Sequence, residues 1–137
     1  FCDPARWVGQ PVGSFVGESV RLNLQAYRSS AALFRAALCA ATTDERFATQ
    51  RMELLGYCAA QNKTFLRTRA DELSVPDVSR AADRSFEFMT SALDHHLLFG
   101  RFTETSPEGD LDLAADIAEQ CARILGIDES SVHHSSP

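Results

Sequence analysis

Lysine is almost missing from this sequence: Lys63 is the only one. The arginines are scattered and the net charge is −6. Such a segment has no basic stripe with which to hold phosphates, so gripping nucleic acid is not its own activity. No apolar run reaches the ~18 residues of a membrane span, and no basic segment leads into an apolar one as a secretion signal would. A cytoplasmic location is the default expectation, with no membrane partner. Strand signals are lacking too. There is no sustained alternation of apolar and polar residues, and no Asn-Gly or Asp-Gly hairpin turn.

Signatures of chemistry are equally scarce. The chain has no Gly-rich phosphate loop, no Gly-x-Ser-x-Gly and no His-Glu-x-x-His. Its four cysteines, Cys2, Cys39, Cys58 and Cys121, lie far apart. The last three fall in helical apolar patterns, where a free thiol acts as a small hydrophobe rather than a disulfide or zinc ligand. His95 and His96 are adjacent, so on a helix they point about 100° apart and cannot chelate one ion. The expectation is no catalytic residue, no metal and no cofactor: not an enzyme.

What is present is apolar helix. The 137 residues are 45% hydrophobic, which suits one domain with one core. The pattern predicts an all-α antiparallel bundle of about five helices. Residues 1–13 form a linker in which Asp3-Pro4 starts a turn carrying Trp7. Residues 14–127 form the domain, and 128–137, with its serines and His133-His134, a flexible tail. The first helix runs from Ser14 to about Arg28, with Val16, Val20, Leu24 and Tyr27 on one side. The second, Ala31–Ala41, is apolar except for Arg35 and is expected to be buried nearly all round. Thr42 with Glu45 reads as a capping box opening a third helix to about Glu72. Its core stripe is Phe47, Leu54, Leu55, Cys58, Phe65 and Leu66.

The stretch Ser74–Gly126 then forms a helical hairpin. It starts at Ser74-Val75-Pro76-Asp77, runs through Phe86, Met89, Leu93 and Leu97 to Gly100, turns at Pro107 and Gly109, and ends with Asp110–Leu125. The apolar residues of its first helix cover about half the circumference, where a one-sided helix needs only about 100°. The second helix keeps only a narrow polar stripe. One neighbour cannot cover that much apolar surface, so a second copy of the chain is expected to share it. Phe88, His95, Leu98, Phe99, Leu113, Ile117 and Ile124 are the interface candidates.

Two polar residues sit inside the apolar stripe of the third helix: Arg51 and Asn62. Burying an unpartnered amide costs about 1–3 kcal/mol and a guanidinium more. Each therefore requires either a structural partner on another helix or a ligand. On the second reading they join Leu55, Phe65, Phe86, Met89 and Thr90 in a greasy pocket with few polar fixtures, the usual make-up of a small-molecule site.

The runs Tyr27-Arg28-Ser29-Ser30-Ala31-Ala32-Leu33-Phe34-Arg35-Ala36-Ala37-Leu38 and Asp44-Glu45-Arg46-Phe47-Ala48-Thr49-Gln50-Arg51 resemble the ligand-binding and dimerisation domain of TetR-family transcriptional regulators. So does Ala92-Leu93-Asp94-His95-His96-Leu97-Leu98-Phe99-Gly100, with its Pro-containing loop and last helix. The likeness spans about Ser14 to Ile127. It implies a bacterial repressor in which the last two helices pair with their copies in a four-helix bundle, and a small-molecule effector fills a pocket between the central helices. The family's N-terminal helix-turn-helix has no counterpart here, because no basic recognition helix follows Ser29-Ser30. DNA would be reached only through an N-terminal domain not present in this chain. The alternative is a stand-alone helical dimerisation or interaction module without a small-molecule site.

Overall fold

The computed structural model describes Trp7, residues 9–100 and residues 107–127. The expectations for Cys2, Asp3-Pro4 and the 128–137 tail lie outside the described residues. Five helices follow in order: α1 (Val12–Ser29), α2 (Ala31–Thr43), α3 (Glu45–Thr68), α4 (Val78–Phe99) and α5 (Pro107–Leu125). A single turn of tighter helix, Ala70–Glu72, follows α3. The described residues contain no strand, and no described helix is long and apolar enough to cross a membrane.

Local signals set most of the boundaries. The Asp77 carboxylate accepts the Arg80 N–H at 3.0 Å and so caps α4, and Gly100 ends that helix at φ 72°. Helix α5 ends in a paired motif: Ile127 N–H bonds Ala122 C=O at 2.9 Å and Gly126 N–H bonds Arg123 C=O at 3.2 Å. Gly126 takes φ 65°, the left-handed geometry this termination requires. Helix α1 begins at Pro11 with no side-chain cap of its own. Its first N–H, that of Val12, is instead met by Glu72 Oε2 at 2.9 Å.

Helices α1, α4 and α5 make the core. Val12, Val16, Val20 and Leu24 of α1 meet Ala82, Met89 and Leu93 of α4, and Ile117, Ala118, Cys121, Ala122 and Leu125 of α5. Ala82 and Ala122 are wholly buried, and such small side chains let helices approach closely. The α2–α3 hairpin is laid on this trio mainly through α4. Lys63 pairs with Asp83 and Arg51 with Asp94, a register that runs α3 antiparallel to α4.

Three expectations need correction. Helix α2 is not enclosed: none of its residues is buried, and Leu33 is 71% exposed. Its alanines favour helix formation intrinsically, so that composition specified helicity rather than burial. The stripe on α3 is likewise only partly covered. Leu66 is its one buried side chain; Phe47 and Leu54 are exposed, and Leu55, Cys58 and Phe65 are half-buried. The capping box does not form, because α2 continues to Thr43 and Asp44 alone caps α3, accepting the Arg46 N–H at 2.9 Å. Thr42 Oγ1 donates instead to Cys39 C=O. A smaller difference is that Pro107–Gly109 belong to α5 rather than to a turn.

Candidate functional site

Helix α3 packs on α4 but not directly along α1, and the space between them is a cavity of about 400 Å³. Each end is bridged by rings. At one end Phe15 of α1 meets Phe65 of α3 at 4.3 Å, with Trp7 edge-on to Phe15 at 5.2 Å. Arg69 holds this end by donating to the backbone carbonyls of Trp7 and Gln10 and pairing with Glu72. At the other end Tyr27 of α1 stacks on Phe34 of α2 at 4.5 Å. The Tyr27 hydroxyl donates to Asp94 Oδ1 at 2.9 Å, and the other oxygen of that carboxylate pairs with Arg51. One carboxylate on α4 thus ties α1 to α3.

This bracket has a pH signature. Burial first, and the adjacent Asp94 carboxylate second, push the Tyr27 phenol above its usual ~10. A folded-state value above the unfolded one means the folded chain holds the proton more tightly. The stabilisation is complete below about pH 10 and is lost as pH rises past it. Chemical denaturation across that range is expected to show stability falling with pH, and Tyr27→Phe to flatten the fall.

Of the residues nominated from sequence as ligand-binding, the structure brings Leu55, Asn62, Phe65, Phe86, Met89 and Thr90 to the cavity wall. It places Arg51 outside that wall, in the ion pair with Asp94. Thr90 Oγ1 donates to the Phe86 carbonyl at 3.0 Å, so its hydrogen is spent on its own helix. Sequence reasoning missed Ser19, Asn23 and Tyr27 of α1, which also line the cavity. From sequence, Tyr27 reads only as part of the core side of α1. Ser19 could have been found there too, one turn from Val16 and beside Val20, as a polar residue within an apolar stripe. The Cys121 thiol, raised by burial, donates to Ser85 C=O at 3.6 Å and is an inert part of the floor.

The interface candidates divide. Leu113 and Ile117 are buried within their own protomer, and Ile124 is half-buried. Phe88, Leu98 and Phe99 are 37%, 38% and 74% exposed. His95 is exposed too and lies 5.2 Å from the Phe99 ring. The described residues contain no cluster of three or more potential metal ligands.

No family model, curated protein or solved structure matches this chain.

Proposed function

We propose that the chain is the effector-sensing and dimerisation domain of a TetR-like transcriptional repressor, responding to a small, largely hydrophobic molecule. The observation that carries this reading is the cavity between α1, α3 and α4. It has the volume of a small-molecule site, roughly 300–1,000 Å³, and six of the residues nominated from sequence converge on its wall. Its Tyr27–Asp94–Arg51 bracket joins that wall to the last turns of α4. A ligand acts only through its different affinity for two arrangements of the domain, and a carboxylate shared by three helices gives it something to bias.

The same helix supports the pairing of two copies. At about 100° per residue, Phe88, His95 and Phe99 fall within about 40° of one another, on a flank of α4 turned away from the core. Both copies would present this patch, as a two-fold interface requires. DNA would be reached through a domain outside this chain.

Sedimentation at high micromolar concentration is expected to show a dimer. Phe99→Asp, at a side chain the protomer does not cover, is expected to leave the fold intact and weaken pairing at least tenfold. A clean monomer for the parent chain at that concentration contradicts the proposal.

A second reading, a helical interaction module without a small-molecule site, is favoured by a different observation. Leu33, Phe47, Met52 and Tyr57 leave apolar surface exposed on α2 and α3, outside the cavity wall. Silence in thermal-shift assays across a broad panel of apolar compounds, with partner capture abolished by Phe47→Asp, would select that reading.

A further inference from the structure

None of the described residues lining the cavity carries a formal charge. Arg51, outside the wall, is neutralised by Asp94, and the Tyr27 phenol is protonated at neutral pH. A charged ligand entering such a wall would surrender its hydration without a counter-ion, a cost far larger than any contact there returns. Rings from Phe15, Tyr27, Phe34, Phe65 and Phe86 are set around this wall.

The Ser19 hydroxyl is out of balance. Ser19 is only 8% exposed, it lines the cavity, and its Oγ has no hydrogen-bond partner among the described residues. The three threonine hydroxyls of the wall behave differently. Those of Thr64, Thr68 and Thr90 donate to carbonyls of their own helices, as helical hydroxyls commonly do. One turn on, Asn23 of the same wall spends one amide hydrogen on the Ser19 carbonyl at 2.8 Å, and its side-chain oxygen remains an acceptor. A buried hydroxyl without a partner is costly, and a ligand group that bonds it recovers that cost.

From these two observations we infer that the cavity selects an uncharged, ring-bearing molecule with a single hydrogen-bonding group, read by Ser19 and Asn23. This deepens the effector reading and rests on it.

The test is calorimetric titration of the full chain, and of Ser19→Ala, with naphthol, naphthalene, decanol, naphthoate and naphthylmethylammonium at neutral pH. Naphthol is expected to bind saturably, and the carboxylate and ammonium at least tenfold more weakly. Naphthalene is expected to bind about tenfold more weakly than naphthol to the parent and equally to Ser19→Ala, the loss of about one hydrogen bond. Because Ser19→Ala removes an unsatisfied group, its ligand-free melting temperature is expected to rise by a few degrees.

If no probe binds, the cavity is not a ligand site, and both this inference and the effector reading fall. Binding of naphthoate or the ammonium as tight as that of naphthol would leave the site standing and overturn its selection against charge. Equal binding of decanol would overturn the ring preference. A preference for naphthol over naphthalene that survives Ser19→Ala would remove Ser19 as the reader.

Discussion

Leu66→Ala is expected to cost about 3–5 kcal/mol of unfolding free energy, a large share of the roughly 5–15 kcal/mol a domain possesses. The reason is the way α3 is held. Leu66 is its one buried side chain, 1% exposed, and belongs to the core that α1, α4 and α5 share. The rest of α3 is attached by half-exposed contacts: the Arg51–Asp94 and Lys63–Asp83 pairs and the Phe15–Phe65 ring contact. Partly exposed ion pairs contribute little individually. Truncating Leu66 should therefore loosen α3 before it loosens the trio beneath. Hydrogen exchange is expected to accelerate along α3 well before α4 and α5. Leu54→Ala, at a side chain 63% exposed, is expected to change stability by no more than about 0.5 kcal/mol. Denaturant unfolding that ranks these two variants equally would contradict this account of how the hairpin is attached.

Gly126→Ala is the second large effect, expected to cost roughly 2–4 kcal/mol. Two penalties coincide. Gly126 sits at φ 65°, where a β-carbon is strained whatever surrounds it. The new carbon would also lie 2.8 Å from the Ser74 carbonyl oxygen and 2.9 Å from its carbon. That backbone cannot simply retreat, because Ser74 N–H donates to Gly126 C=O at 3.1 Å. This contact fastens the end of α5 to the segment entering α4. Gly100→Ala is a comparison: it too has a positive φ, 72°, but no described residue lies within 4 Å of a new β-carbon. It should incur strain alone. A loss for Gly126→Ala of no more than about 1 kcal/mol, the strain of a positive φ alone, measured by denaturant unfolding, would show that the approach to Ser74 contributes nothing.

These cases show what a sequence can specify. The limits of α4 were legible because Asp77 and Gly100 act on backbone groups one turn away, and the same holds for Gly126. The all-helical class followed from periodicity alone. Failures came where the answer depended on a neighbour. The apolar run of α2 suggested enclosure, yet only a packed structure reveals that nothing among the described residues lies over Leu33. Arg51 was recognisable as a cation needing a partner, but its partner was not. Asp94 is 43 positions away, and the pairing depends on the antiparallel register of α3 against α4. The cavity was half legible. Its α3 and α4 walls were named because their polar residues interrupt apolar stripes. Its α1 wall was missed, since whether Ser19 faces a helix or a void is set by where α3 stands off.

That standing-off also explains why one carboxylate matters so much. Asp94 is the point at which the cavity wall and the α3 hairpin meet α4. A ligand that shifts Tyr27 acts on the carboxylate whose other oxygen holds Arg51.

The chain's two methionines give the most direct test, because Met89 is buried in the cavity wall while Met52 lies outside it, 65% exposed. Methyl NMR of methionine-labelled protein titrated with naphthol is predicted to move the Met89 resonance saturably, through the ring current of the bound probe, and to leave Met52 in place. A Met89 signal unmoved up to the probe's solubility limit, or both signals drifting together without saturation, would contradict the claim that the space between α1, α3 and α4 is a binding site.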